Sequence, residues 1–130
     1  MIVKVDHGTA AAYSLIEMTH PASVGPALHT HPAGDEAFYV LEGEYEVRCG
    51  DRTFVGSPGS FIFVPRGAPH GYTVGPNGGR VLVIAPAGLE RYFAEVARKL
   101  AEGPVGIDVE AEIAAKYGQD FIERLRHWGS

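Results

Sequence analysis

Between Ile2 and Pro86, short runs of β-branched and aromatic residues are punctuated by Gly, Pro, Asn and Asp every eight to twelve residues or so, the spacing of an all-β sandwich or barrel. The runs predict strands at Ile2 to Asp6, Ala12 to Thr19, Ala27 to His31, Glu36 to Leu41, Glu44 to Cys49, Arg52 to Val55, Ser60 to Val64, His70 to Val74 and Arg80 to Ala85. So many short strands suit a jelly roll. The clearest is Glu44 to Cys49, where Tyr45, Val47 and Cys49 alternate with Glu44, Glu46 and Arg48, giving one apolar and one solvated face. Gly50-Asp51 then makes a two-residue hairpin connection, with Gly in the first position of a type II′ turn. Cys49 falls on the buried face and reads as a small core hydrophobe, because no cation is placed to stabilise a thiolate.

Past Pro86 the apolar period changes from two to about 3.6. Leu89, Tyr92, Phe93, Val96, Ala97 and Leu100 form one stripe of an amphipathic helix. Asp108 is the expected cap of a second helix running through Ile113 to Tyr117 and ending at Gly118, and Phe121, Ile122, Leu125 and Trp128 give a short third. Residues 87–130 are thus a helical extension too small for its own core, which must pack on the barrel of residues 1–86 as part of one domain or bridge to a second copy.

Composition narrows the partners. A net charge of -5 with no Lys/Arg cluster offers no basic face for nucleic acid or an anionic membrane. No apolar run approaches the roughly 18 residues of a membrane span, and the first residues resemble neither a secretory leader nor a transit peptide. A cytoplasmic location is expected, and the single cysteine agrees with a reducing compartment. A small molecule is the expected partner.

The candidate chemistry sits in two places. His29 and His31, one residue apart on a strand, place two imidazoles on one face about 6.6 Å apart along the chain, so they can converge on one ion. Glu36 opens the next strand on the face shared by Phe38 and Val40, where a carboxylate needs a partner. His70 follows a turn stiffened by Pro65 and Pro69 and freed by Gly67. Three imidazoles and a carboxylate suit borderline divalent ions such as Fe, Ni, Cu, Zn or Mn over Ca or Mg. Phe38, Val40, Phe61 and Phe63 are the expected apolar walls of a pocket for an aromatic or hydrophobic ligand. Tyr72 shares the parity of His70 and is the first choice for an additional acid or base, ahead of Glu17, Tyr13 and Tyr39. His7, His20 and His127 belong to no motif and are expected at the surface.

These residues resemble the two motifs of the cupin superfamily. The first reads Gly25-Pro-Ala-Leu-His29-Thr-His31-Pro-Ala-Gly-Asp-Glu36-Ala-Phe-Tyr-Val-Leu-Glu-Gly43, and the second Gly59-Ser-Phe-Ile-Phe-Val-Pro65-Arg-Gly67-Ala-Pro-His70. Gly25 stands two residues nearer His29 than the usual pattern, and Val74 occupies a position where many members carry Asn. The resemblance implies a jelly-roll β-barrel with one divalent metal on His29, His31, Glu36 and His70, iron being favoured over Ni, Mn, Cu or Zn. It further implies a homodimer and, by similarity to quercetinase-like members, a dioxygenase in which Glu36 takes a proton from a chelating substrate. A redox-silent Lewis-acid isomerase or lyase and a non-enzymatic small-molecule binder are the alternatives.

Overall fold

The computed structural model describes residues 1–9, 12–123 and 127–130. Among the described residues, eight strands and two α-helices follow in order, besides a 3-10 turn at His7–Thr9: β1 (Ile2–Val5), β2 (Tyr13–His20), β3 (His29–Thr30), β4 (Glu36–Cys49), β5 (Arg52–Gly56), β6 (Phe61–Val64), β7 (His70–Pro86), α1 (Glu90–Glu102), α2 (Ile107–Lys116) and β8 (Asp120–Phe121). All pairings are antiparallel. The hydrogen-bonded path runs β1-β2-β7-β3-β8, and β4 joins β5, β6 and β7. The result is a jelly-roll β-barrel with a C-terminal helical portion.

Two of the expected strand breaks are absent. β4 runs straight through Leu41-Glu42-Gly43, and β7 runs through Gly75 to Gly79, so each replaces two predicted strands. Their mutual pairing stays continuous except for irregularities at Val40/Glu42 and Gly43/Tyr45. Gly43 there has φ of 78°, and a Cβ on it would lie 2.2 Å from the Gly78 carbonyl oxygen. The glycines that read as loop punctuation therefore mark a bulged crossing of two backbones, which only glycine accommodates. The Gly50 turn has the expected sign, with φ of 60°, and β5 pairs in register from Cys49↔Arg52 to Tyr45↔Gly56.

One apolar core unites barrel and helices. Ile16, Phe38, Val40, Tyr45, Val47, Ile62, Val64, Tyr72, Val74, Val81 and Val83 from the strands pack with Leu89, Tyr92, Phe93, Val96, Ile113 and Ala114 from the helical region. The first helix matches its predicted stripe up to Val96, whereas Ala97 and Leu100 are exposed at the lip of a surface pocket. The second has Gly106 at its N-cap position and no side-chain cap, and Asp108 sits instead in the first turn, where its charge complements the helix dipole. The predicted third helix is replaced at its start by β8, and Leu125 lies outside the described residues. Phe121, Ile122 and Trp128 have helical spacing, but the free edge of β3 offers backbone partners that outweigh it. His29↔Phe121 and Thr30↔Asp120 pair, and Ile122 N–H donates to the Leu28 carbonyl at 2.8 Å.

Candidate metal centre

β3 is only two residues long, yet it is held on both sides, by β7 through His29↔His70 and by β8. That clamp aligns the first histidine with the third across adjacent strands. His31 follows directly, and Glu36 enters from the first residue of β4. All four side chains are buried, and one ligand atom from each lies within 4.8 Å of all the others. His29 Nε2 is 3.0 Å from His31 Nε2, and Glu36 Oε1 is 3.0 Å from His70 Nε2 and 3.4 Å from His31 Nε2.

The backbone sets the imidazole tautomers. His29 Nδ1 lies 2.6 Å from the Ala27 carbonyl oxygen and His70 Nδ1 lies 2.9 Å from that of Ala68, so each Nδ1–H donates and each Nε2 faces the cluster, that of His70 toward Glu36 Oε1. Burial, and then the neighbouring His70 and His31, lower the His29 pKa to about 3, which keeps that ring neutral. Burial alone would raise the Glu36 carboxyl, but His31 and His70 outweigh it and hold it below the ordinary carboxylate range. Burial would likewise lower His70, but its hydrogen bond to Glu36 raises it above the ordinary histidine value.

This donor set fits one divalent ion. With ligands at about 2.0–2.1 Å, adjacent donor atoms around such an ion are separated by roughly 3.0–3.4 Å, and the His29–His31, His70–Glu36 and His31–Glu36 separations lie in that range. Nitrogen and oxygen donors of this kind are those of a borderline transition metal, and the geometry does not select among Fe, Ni, Mn, Cu and Zn.

Beside His29 and Glu36 lies a small cavity of about 10 Å³, the size of a single water. Its walls include His29, Glu36, Phe38, Tyr72, Tyr92, Phe93, Gln119 and Trp128. Of the expected apolar walls, Phe38 lines it. Val40 is fully buried in the core instead, and Phe61 and Phe63 point outward, 61% and 54% exposed. In β6 it is Ile62 and Val64 that face in. The correction has a simple cause: Phe61-Ile62-Phe63-Val64 is apolar at every position, so alternation carries no facing information and a one-residue error goes undetected.

Tyr72 lies against Phe38 at 5.5 Å between ring centres, and its hydroxyl is 3.4 Å from His20 Nε2. Burial, followed by the Glu36 charge, pushes that hydroxyl well above the ordinary tyrosine pKa, so it remains a proton donor. Tyr13 and Tyr39 are exposed, and Glu17 is engaged by Arg80 at 3.1 Å, so none of these alternatives lines the cavity. His20 is not the surface residue expected. It is buried, stacks on Trp128 with ring centres 5.5 Å apart and has Nδ1 2.8 Å from the Tyr45 hydroxyl.

The walls supplied by the tail were missed. Tyr92 and Phe93 belong to the recognised helical stripe, but no sequence signal says that the stripe faces the ligands. Gln119 and Trp128 lie in what reads as turn and helix, and only the pairing of β8 with β3 brings Gln119 to the site.

Comparison with known proteins agrees with this arrangement. Residues 15–89 match the family described as Cupin domain. Among solved structures, the polyketide cyclase RemF from Streptomyces resistomycificus is 36% identical with a TM-score of 0.55, over 63% of this chain and 60% of that one. The DMSP lyase DddQ from Ruegeria pomeroyi DSS-3 is 28% identical with a TM-score of 0.53, over 61% and 40% of the two chains. An RmlC-like cupin from Shewanella frigidimarina NCIMB 400 is 26% identical with a TM-score of 0.53, over 58% and 68%. No curated protein matches. The family match spans more than half of the chain and includes every residue of the ligand cluster, and the chain belongs to the cupin domain family.

Proposed function

We propose that this protein is a metal-dependent enzyme acting on a small, largely apolar molecule through one of its oxygen atoms, by polarisation and proton transfer of the kind used by lyases, cyclases and isomerases. The observation that carries the reading is the buried His29/His31/Glu36/His70 cluster, two of whose members, His29 and Glu36, line a small aromatic-walled cavity with Tyr72. Those four residues would hold a divalent ion, which would supply Lewis acidity toward a ligand oxygen.

The chain supplies the rest. Ala27 and Ala68 carbonyls hold the His29 and His70 rings with Nε2 inward. The Tyr72 hydroxyl is a neutral donor able to protonate a developing anion. Phe38, Tyr92, Phe93 and Trp128 exclude bulk water, which strengthens every polar interaction inside. A substrate larger than water reaches the cluster only if part of this wall moves, and Trp128 and Phe93 also line an apolar pocket of about 360 Å³.

The expected dioxygenase activity gains no specific support from these relatives, since the two named for an activity are a cyclase and a lyase. Elemental analysis of natively purified protein, followed by turnover assays on oxygen-bearing apolar compounds with and without air, tests the reading. One transition-metal ion per chain and equal turnover in both atmospheres are expected, with metal lost and fold retained in His29→Ala and His70→Ala. Oxygen consumed in step with substrate would replace this reading with the dioxygenase. Binding without turnover would leave a small-molecule binder.

A further inference from the structure

Gln119 is 2% exposed, and its Nε2 has no hydrogen-bond partner among the described residues. A buried amide donor without an acceptor is costly, about 1–3 kcal/mol, and folded chains rarely keep one without a use. Gln119 also lines the water-sized cavity whose other walls include His29, Glu36 and Tyr72. Its position is not a loose one: Gln119 N–H donates to the Ala114 carbonyl at 2.9 Å at the end of α2, and the next residue pairs with Thr30 in the histidine strand. A helix end and a strand thus anchor the residue on both sides.

Resting on the metal-site reading above, we infer that Gln119 is a ligand-binding residue of this centre, whose side-chain amide donates a hydrogen bond to an oxygen or other small anionic acceptor held in the cavity beside His29 and Glu36. The cavity is where such an acceptor can sit, and the amide complements it without adding charge. The ligand class follows: a water-sized acceptor atom, such as solvent, or the terminal oxygen of a carbonyl, enol or carboxylate once the wall opens. The C-terminal segment therefore contributes to recognition as well as to packing.

Fluoride, a one-atom acceptor that fits the cavity, is the probe. Wild type and Gln119→Met are loaded with Co(II), cobalt content is measured, and fluoride is titrated against the visible absorption of the bound ion. Equal cobalt content is expected, with fluoride bound roughly threefold to tenfold more weakly by the variant, the loss of one hydrogen bond. Gln119→Glu, which loses the donor and adds a negative charge, weakens fluoride further. A second readout is the melting temperature without metal. Because Gln119→Met removes an unpartnered buried donor at similar volume, the variant melts no lower than wild type, whereas a residue kept for structure would melt lower.

Unchanged fluoride affinity, a lower metal-free melting temperature, failure to fold or loss of cobalt from Gln119→Met would each overturn the assignment while leaving the metal-site reading intact. Failure of wild type itself to hold cobalt would remove that reading and this inference with it.

Discussion

Individual residues at this site are prepared for their chemistry by their immediate surroundings. Two backbone carbonyls orient the His29 and His70 rings, and burial keeps His29 neutral. His20 shows the same physics outside the ligand set. Burial, and then the nearby terminal ammonium, lower its pKa from 6.5 to about 4. Its folded form therefore binds fewer protons than the unfolded chain between these values. The associated stability is fully present above pH 6.5 and is lost as the pH falls toward 4, by about 3 kcal/mol in total. Urea unfolding of wild type and His20→Gln at a series of pH values measures this. The difference between the two should shrink on acidification across that window, and parallel curves would remove His20 as its source.

Among the elements, the C-terminal segment bears most on the site. Glu110 of α2 is completely buried and accepts hydrogen bonds from the Trp128 N–H at 2.9 Å and the Gly129 N–H at 2.8 Å, with the His127 ring against the same carboxylate. The helix thereby fastens Trp128 over the cavity. Removing a buried carboxylate that satisfies several donors leaves those donors exposed to no partner. Glu110→Ala is expected to destabilise the protein by about 3 kcal/mol. Trp128 is the only tryptophan, so its emission reports the segment directly: a shift toward the red is expected in Glu110→Ala under conditions where far-ultraviolet circular dichroism remains native. An unchanged emission maximum would mean that the segment is held by other contacts.

Taken as a whole, the molecule carries an apolar outer surface as well as an apolar core. Tyr39, Phe61, Phe63 and Ile84 are exposed on β4, β6 and β7, and the register places Tyr39 opposite Phe61 and Ala37 opposite both Phe63 and Ile84. Contiguous apolar area of this kind marks an interaction surface more often than free solvent contact. A homodimer through this face is expected. Light scattering at micromolar concentration should give twice the chain mass for wild type and the chain mass for Phe61→Lys/Phe63→Lys, while a monomeric wild type would contradict it. The two phenylalanines assigned to the ligand pocket would then serve the outside of the barrel.

Local order along the chain was enough to reveal the all-β character, the long first helix, the Gly50 turn and the four residues of the buried cluster, because period, turn chemistry and motif spacing are properties of neighbours in sequence. Strand facing in Phe61 to Val64 was not legible, since a run apolar at every position looks the same in either register. Nor were the continuous β4 and β7, where Gly43 crosses Gly78 and Gly79, or β8, whose strand state depends on an edge ninety residues away in sequence, roughly speaking. The burial of His20 and the arrival of Gln119 and Trp128 at the cavity likewise come from packing between distant segments. Motif spacing along the chain was sufficient to pick out the atoms that could hold a metal. Their surroundings were not readable there, because the walls and donors to a bound ligand come from residues that meet only through folding.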